Sequence, residues 1–253
     1  MSWRRERQFS IVLVLVIVVG VLAGSWYYFK RPEPSCFDGR KNQDEIGPDC
    51  GGVCARVCSV ETKPLAVLWA RPIEITAGNY SAVAFIENPN ENFGVPVLAY
   101  DFSLVDKEGN EIARRSGRSF ANPKERFLVF ESGIVAPAGM VARAFLEFPS
   151  NQDWGRENAA TPGFSVRRKS FEAVPAPRLV AEAVNSSVRA VRNIFVPVVI
   201  SDKDGNAITA SATYIDSLPA GETKELYYTW PLPFLAEPVF FDFYPHQNIF
   251  GTK

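Results

Sequence analysis

From Phe9 to Phe29 the chain reads FSIVLVLVIVVGVLAGSWYYF, 21 residues without a charge. An α-helix needs about 20 such residues to cross roughly 30 Å of hydrocarbon, so this run predicts a membrane segment. Arg4, Arg5 and Arg7 precede it, Lys30 and Arg31 follow it, and Trp26, Tyr27 and Tyr28 fall where an interfacial aromatic belt would lie. Three basic residues against two predict a cytoplasmic end over 1–8, a transmembrane helix over 9–29 and the bulk of the chain outside. A competing reading is a signal peptide cut after Val21-Leu22-Ala23, which would release a secreted form. The run exceeds the usual apolar length of such peptides and carries an aromatic girdle, and both features favour the uncleaved anchor. Gly20 and Gly24 form a small-xxx-small pair of the kind that lets helices pack closely, although two small residues also arise by chance in a Val-rich helix.

Both readings export everything that follows, and composition narrows what the exported part does. At 253 residues the chain has room for one large or two small domains. Lys+Arg 27 against Asp+Glu 28 is the balance of a folded, non-polybasic protein. Residues 1–31 hold five of the basic residues and one acidic one, so the remainder carries a net excess of about five acidic charges and does not invite nucleic acid. His246 is the single histidine, which rules out a multi-His metal site and leaves one imidazole for acid–base work. No G-x-S-x-G nucleophile motif is present, so the chain is expected not to be an enzyme. Gly 17, Pro 19 and Phe 19 against Met 2 favour short strands and turns.

Four cysteines, Cys36, Cys50, Cys54 and Cys58, fall within 23 residues, in CFDGRKNQDEIGPDCGGVCARVC. An even, clustered set in an oxidising compartment predicts two disulfides, with three connectivities open. A four-thiolate zinc site lacks its paired C-x2-C knuckles here. Between the cysteines stand Asp38, Asn42, Glu45 and Asp49, hard-oxygen groups that are the candidate Ca²⁺ ligands. The competing reading makes them turn caps that accept bonds from backbone amides, with no cofactor. The segment resembles a short cysteine-rich module of exported surface proteins with the pattern C-x-D-G-x2-N-x2-E-x-G-x-D-C-G-G-x-C, complete here through Cys54. That resemblance implies a stalk or spacer over 34–60.

Beyond Cys58, β-branched and aromatic runs alternate with Gly, Asn and Pro. Strands are expected at 67–70, 80–87, 95–104, 111–115, 126–130 and 141–148, and again at 164–171, 179–184, 194–201, 207–214, 223–229 and 239–244. The two sets align. VDKEGNEI at 105–112 matches SDKDGNAI at 201–208, Asn88-Pro89 matches Asn185-Ser186, and FLEFP at 145–149 falls on FDFYP at 241–245, all at an offset of 96 or 97. The expected fold is therefore all-β: two immunoglobulin-like β-sandwiches in tandem over 64–150 and 163–253, joined by a linker over 151–162.

Each copy resembles the FxLYD family of small bacterial immunoglobulin-like domains. The carrying residues are Asn88, Phe102-x-Leu104 and Asp106 before the Gly109-Asn110 turn in the first copy. In the second they are Asn185-Ser186, VPVVISDKDGNAI and the stretch Ile215–Phe234, with Val198 and Ile200 standing where the motif has Phe and Leu. The resemblance implies an extracytoplasmic interaction or spacer module with no active-site residues, whose partner is an envelope protein or a second copy.

Several local patterns point elsewhere. Asp202-Lys203-Asp204-Gly205-Asn206 begins like a Ca²⁺-binding loop, but Ala207 and Thr213 stand where that loop needs Gly and Glu, so a hairpin turn is expected. Asn79-Tyr80-Ser81 and Asn185-Ser186-Ser187 match the glycosylation sequon. A glycan-binding role is the alternative function and would use exposed aromatics. Trp69 and Trp230 are expected in the core, and Trp154 is the candidate platform.

Overall fold

The computed structural model describes residues 3–30, 33–150, 152–158 and 163–250. It divides into two units, 1–54 and 55–253.

The first unit begins with helix α1, Trp3–Phe29. Its stretch Arg7–Phe29 has a mean hydropathy of 2.6, with none of its apolar window buried inside the protein. The helix is apolar on all sides, long enough to cross a bilayer, and lacks the polar stripe of a surface helix. After it the chain makes tight turns and a single bridge between Gly47 and Cys50, and Gln43, Asp44 and Asp49 adopt left-handed backbone conformations. Cys36 and Cys54 form a disulfide with Cα atoms 5.6 Å apart. Cys50 and Cys58 are disulfide-bonded as well, so all four thiols are oxidised and none is a metal thiolate.

The second unit is built from antiparallel strands in four sheets. β1 (Ala66–Thr76), β2 (Asn79–Glu87) and β5 (Arg126–Val135) form one sheet in the order β1-β2-β5. β4 (Glu111–Ala121), β3 (Phe93–Val105) and β6 (Arg143–Glu147) form the facing sheet, with the short β7 (Gly155–Arg156) also paired to β3. The same arrangement recurs in the second half. β8 (Phe164–Glu172), β9 (Arg178–Asn185) and β12 (Thr223–Thr229) make a sheet in the order β12-β9-β8. β11 (Ala207–Leu218), β10 (Val191–Ser201) and β13 (Phe240–Phe243) make the other, with β14 (His246–Gln247) on β10.

All twelve expected strands form, but four run on well past their expected ends, by four to six residues, to Thr76, Ala121, Val135 and Leu218. Pro72 is tolerated in β1 because that strand lies at a sheet edge, where a missing N–H breaks no ladder. Gly117 does not end β4. A Cβ there would lie 2.5 Å from the Tyr100 ring, so glycine is the residue that admits the close packing.

Two cores result. In the first, Tyr80, Ala82, Ala84 and Ile86 of β2 share a cluster with Leu98, Tyr100, Phe102 and Leu104 of β3. In the second, Leu179, Ala181 and Ala183 of β9 share one with Ile194, Val196, Val198 and Ile200 of β10. Val198 and Ile200 are fully buried and serve as apolar filling of this core.

Proline shapes both central strands in the same way. β6 pairs with Asp101–Val105 and β7 with Phe93–Gly94, leaving Pro96 in the gap. β13 pairs with Val198–Ser201 and β14 with Ile194–Phe195, leaving Pro197 in the gap. A residue without an N–H cannot donate to a partner strand, and the neighbouring edge breaks there.

The repeated turn is reproduced bond for bond. Asn110 N and Nδ2 donate to Asp106 Oδ1 and Oδ2 at 2.8 and 2.9 Å; Asn206 N and Nδ2 donate to Asp202 Oδ1 and Oδ2 at 2.8 and 3.2 Å. The Asp202 loop is thus a hairpin turn, with its carboxylate engaged by its own Asn. The Asn110 side chain first, then backbone amides, outweigh burial and hold the Asp106 carboxyl below the usual carboxylate range. A carboxyl depressed on folding stabilises above its unfolded value near 3.9 and loses that contribution as pH falls through its folded value. The stability gap between the wild type and Asp106→Asn should therefore narrow between pH 7 and pH 2.5 in urea titrations. A gap independent of pH would refute this.

The expected linker is partly structured. Residues 151 and 159–162 lie outside the described residues, but Gly155–Arg156 pair with β3 and Trp154 packs against the first core. The two halves also pack on one another. A third apolar cluster joins Val83 of β2 and Leu128 of β5 to Val199 of β10 and Ala210 of β11, with Trp69, Ile73, Phe85, Phe130, Ala207 and Tyr244 around them. The outer face of the β1-β2-β5 sheet thus packs on the outer face of the β10-β11 pair.

Candidate functional site

The segment after β13 crosses from the second sandwich onto the first, and His246 is the centre of that contact. Its ring is fully buried, stacked at 3.8 Å on Phe120 and at 4.7 Å on Phe127, with interplanar angles of 7° and 0°. Nδ1 lies 3.0 Å from Glu125 Oε1 and Nε2 lies 3.2 Å from the Phe120 carbonyl oxygen. Both neighbours are acceptors, so whichever ring nitrogen carries the proton donates to the first sandwich. Around it Asn122 Nδ2 donates to Gln247 O at 2.8 Å, Ile249 N donates to Asn122 Oδ1 at 3.3 Å, and Asn248 Nδ2 donates to Pro96 O at 3.2 Å. Phe250 lies against Gly94, where a Cβ would meet its ring at 2.7 Å. His246 thus fastens a strap, held away from solvent, and the groups around it are two phenylalanines, a carboxylate and a carbonyl.

The loop that receives the strap is held by Asn88, 1% exposed. Asn88 Nδ2 donates to the carbonyls of Phe93 and Asn122, both at 2.8 Å, and its backbone N donates to Glu125 O. Asn185 does the same work in the second sandwich and is 0% exposed. Its Nδ2 donates to Arg189 O, Leu218 O and Pro219 O at 2.8, 2.9 and 3.0 Å, and its N donates to Glu222 O. The sequon at Asn185 is therefore sterically closed in the folded chain, whereas Asn79 is exposed.

The four candidate Ca²⁺ ligands sit in the cystine segment; the carboxylates of Asp38, Glu45 and Asp49 are bound to the chain itself, whereas Asn42 Oδ1 is buried without a partner among the described residues. Asp49 accepts Gly39 N through both carboxylate oxygens, at 3.0 and 2.9 Å. Asp38 accepts from Arg40 N and Asn42 Nδ2 at 2.9 and 2.8 Å. Burial pushes the Asp38 carboxyl up, but these bonds and one from Ser35 outweigh it and hold the group below the usual carboxylate range. Glu45, 4% exposed, accepts Asn42 N and Asp49 N, and its Oε1 lies 3.1 Å from the Cys54 sulfur. These are the contacts of turn caps. Glu45, Cys36 and Cys54 bring their ligand atoms within 4.8 Å of one another, but the two sulfurs are joined in a disulfide.

Trp69 and Trp230, expected in the core, and Trp154, the candidate platform, are all packed. Trp230 is 5% exposed, Trp69 stands 5.9 Å from Phe85 between the sandwiches, and Trp154, the candidate for exposure, is half-buried against the first core. Among the described residues of the second unit, two concave places stand out. One, of about 250 Å³, is lined by Tyr100, Arg118, Glu131, Phe195 and Tyr214. Within it Glu131 accepts from the Tyr100 hydroxyl at 3.0 Å and pairs with Arg115 at 3.1 Å. Burial first, and then the Glu131 charge, push the Tyr100 hydroxyl far above its ordinary range, so it stays a neutral donor. The other, of about 210 Å³, lies between β1, β11 and the loop Trp230–Leu235. Neither groove was legible beforehand, because each draws residues from both sandwiches.

No family model and no curated protein matches the chain. Among solved structures it is similar to red sea bream transglutaminase, at 10% identity and a TM-score of 0.23 over 72% of this chain, and to Bacteroides uniformis β-glucuronidase, at 13% identity and a TM-score of 0.19 over 65%. The chain spans 29% and 22% of those proteins' lengths, and likenesses this low bear on neither its fold family nor its activity.

Proposed function

We propose that this chain is a non-enzymatic, single-pass membrane protein whose two immunoglobulin-like sandwiches, over 64–150 and 163–253, stand outside the cell as an interaction or spacer module. The carrying observation is the 23-residue apolar helix, none of it covered by protein, ahead of an all-β body. The cystine segment at the exit from the membrane supports a stiffened stalk, as does its resemblance to the surface-protein module. The likeness of both copies to FxLYD domains supports a partner in the envelope rather than a small-molecule substrate. Nothing in the chain's charge favours nucleic acid.

Crosslinking of the tagged full chain in intact membranes, with partners and the mature N-terminus both read by mass spectrometry, tests this reading. The expected result is a recurrent envelope partner and a start ahead of Phe9. A start at Gly24 in a released protein would overturn the anchor, and the absence of any recurrent partner would overturn the interaction role.

A further inference from the structure

We infer that the groove between β1, β11 and the Trp230–Leu235 loop is the docking site for an extended, uncharged, apolar segment of a partner protein, which seats one aliphatic side chain and offers a backbone carbonyl. The inference rests on the interaction reading above and names its site.

The loop is built to present apolar surface. Trp230 is buried, and Phe234 packs at 5.3 Å from it and 5.9 Å from Phe171, so two aromatic anchors hold the loop on the second core. Between and beyond them Leu232 is 53% exposed and Leu235 is fully exposed, and Val239 and Phe240 are also exposed. Pro231 and Pro233 restrict the backbone, so the loop loses little freedom on binding. The far wall supplies Ile73, Ile75 and Ile208, and Ile73 also belongs to the apolar cluster between the sandwiches, so the groove continues an interface the fold already uses.

Three observations select the occupant. Trp230 Nε1 and Thr209 Oγ1, in residues 5% and 3% exposed, are buried polar atoms without a partner among the described residues, and both residues line this groove. An unpaired buried donor disfavours the free state, and a carbonyl oxygen from an occupant relieves it. The single charged lining residue is Glu74, whose carboxylate already accepts Gly78 N at 3.0 Å and Gly139 N at 3.3 Å, so the site asks for no counter-charge. The volume, about 210 Å³, is below the ~300 Å³ at which small-molecule sites begin, and it suits a side chain rather than a cofactor.

The test places a photoreactive benzoylphenylalanine at Leu235 of the full chain in its native membranes, with Val188, 93% exposed, as the control position. The expected result is a recurrent adduct at Leu235 alone, whose crosslinked peptide is uncharged and apolar. Its yield should fall at least about fivefold in Trp230→Phe, the loss of one hydrogen bond to a buried donor. Thr209→Val, with a thermal melt of each variant, separates this from misfolding. An equal adduct at Val188, a yield unchanged in both folded variants, or an adduct to a second copy would each overturn the inference. A partner captured by general crosslinking while Leu235 stays silent would remove the groove and leave the interaction role standing.

Discussion

Replacing Asn185 with alanine should lower the stability of the second unit by about 3 kcal/mol, with a fall in Tm of about 10 °C. The side chain is fully buried and donates to three carbonyls, while its Oδ1 accepts Ser187 N at 2.9 Å and the Ser187 hydroxyl at 2.7 Å. Each group left unpaired away from water costs about 1–3 kcal/mol, and partial relaxation at the loop surface keeps the total below the sum. Asn185→Asp is the sharper test, because it keeps the shape but replaces the donating amide with an acceptor-only group facing the same carbonyls. It should be at least as destabilising as alanine. Asn88→Ala should show the same behaviour through the first sandwich, where the amide holds Phe93 O and Asn122 O. Urea titration of the full chain measures both. A loss below about 1 kcal/mol at either position would mean that the loops do not depend on these bonds.

The two asparagines also mark what the sequence made legible. Their recurrence at an offset of 97, with the D-x-x-G-N turn at 96, announced a repeated unit, and the turn hydrogen bonds recur atom for atom. Strand positions were legible because core residues alternate: β9 reads in and out from Leu179 to Asn185. Length was less legible, because Pro72 and Gly117 look like stops and are instead an edge position and a close approach to the Tyr100 ring.

Packing between the sandwiches was hidden for a different reason. β2 and β10 are apolar on both faces, and a continuous run says that both faces are covered without saying by what. Val83 and Val199 meet across more than a hundred residues, and no local pattern encodes that pairing. The cystine segment was legible in its oxidation and in its turn residues, but the 36–54 pairing came only with the backbone. The groove at Trp230 depends on the same inter-sandwich contact, so a reading of Trp230 as core was correct while its role in a groove wall stayed out of reach.

His246 was the residue whose meaning changed most, and His246→Ala carries the second large effect. In sequence it is a lone imidazole beside Tyr244-Pro245; in the fold it is the buried pin between two sandwiches. Alanine removes a ring packed between Phe120 and Phe127, leaves a cavity there, and takes the ring nitrogens away from Glu125 Oε1 and Phe120 O. Loss of a large buried side chain costs about 2–5 kcal/mol, and the lost polar contact adds to the cavity and places this site in the upper part of that range. The effect should be local before it is global. Hydrogen exchange should speed up first at Asn122–Glu125 and His246–Phe250, where the strap's bonds run, and only then in the cluster around Val83 and Val199. His246→Phe keeps a flat ring between the two phenylalanines but donates to nothing, so it should fall between the wild type and alanine. If both variants keep wild-type exchange along the strap, the sandwiches are held by the Val83–Val199 cluster alone and the strap adds nothing to it.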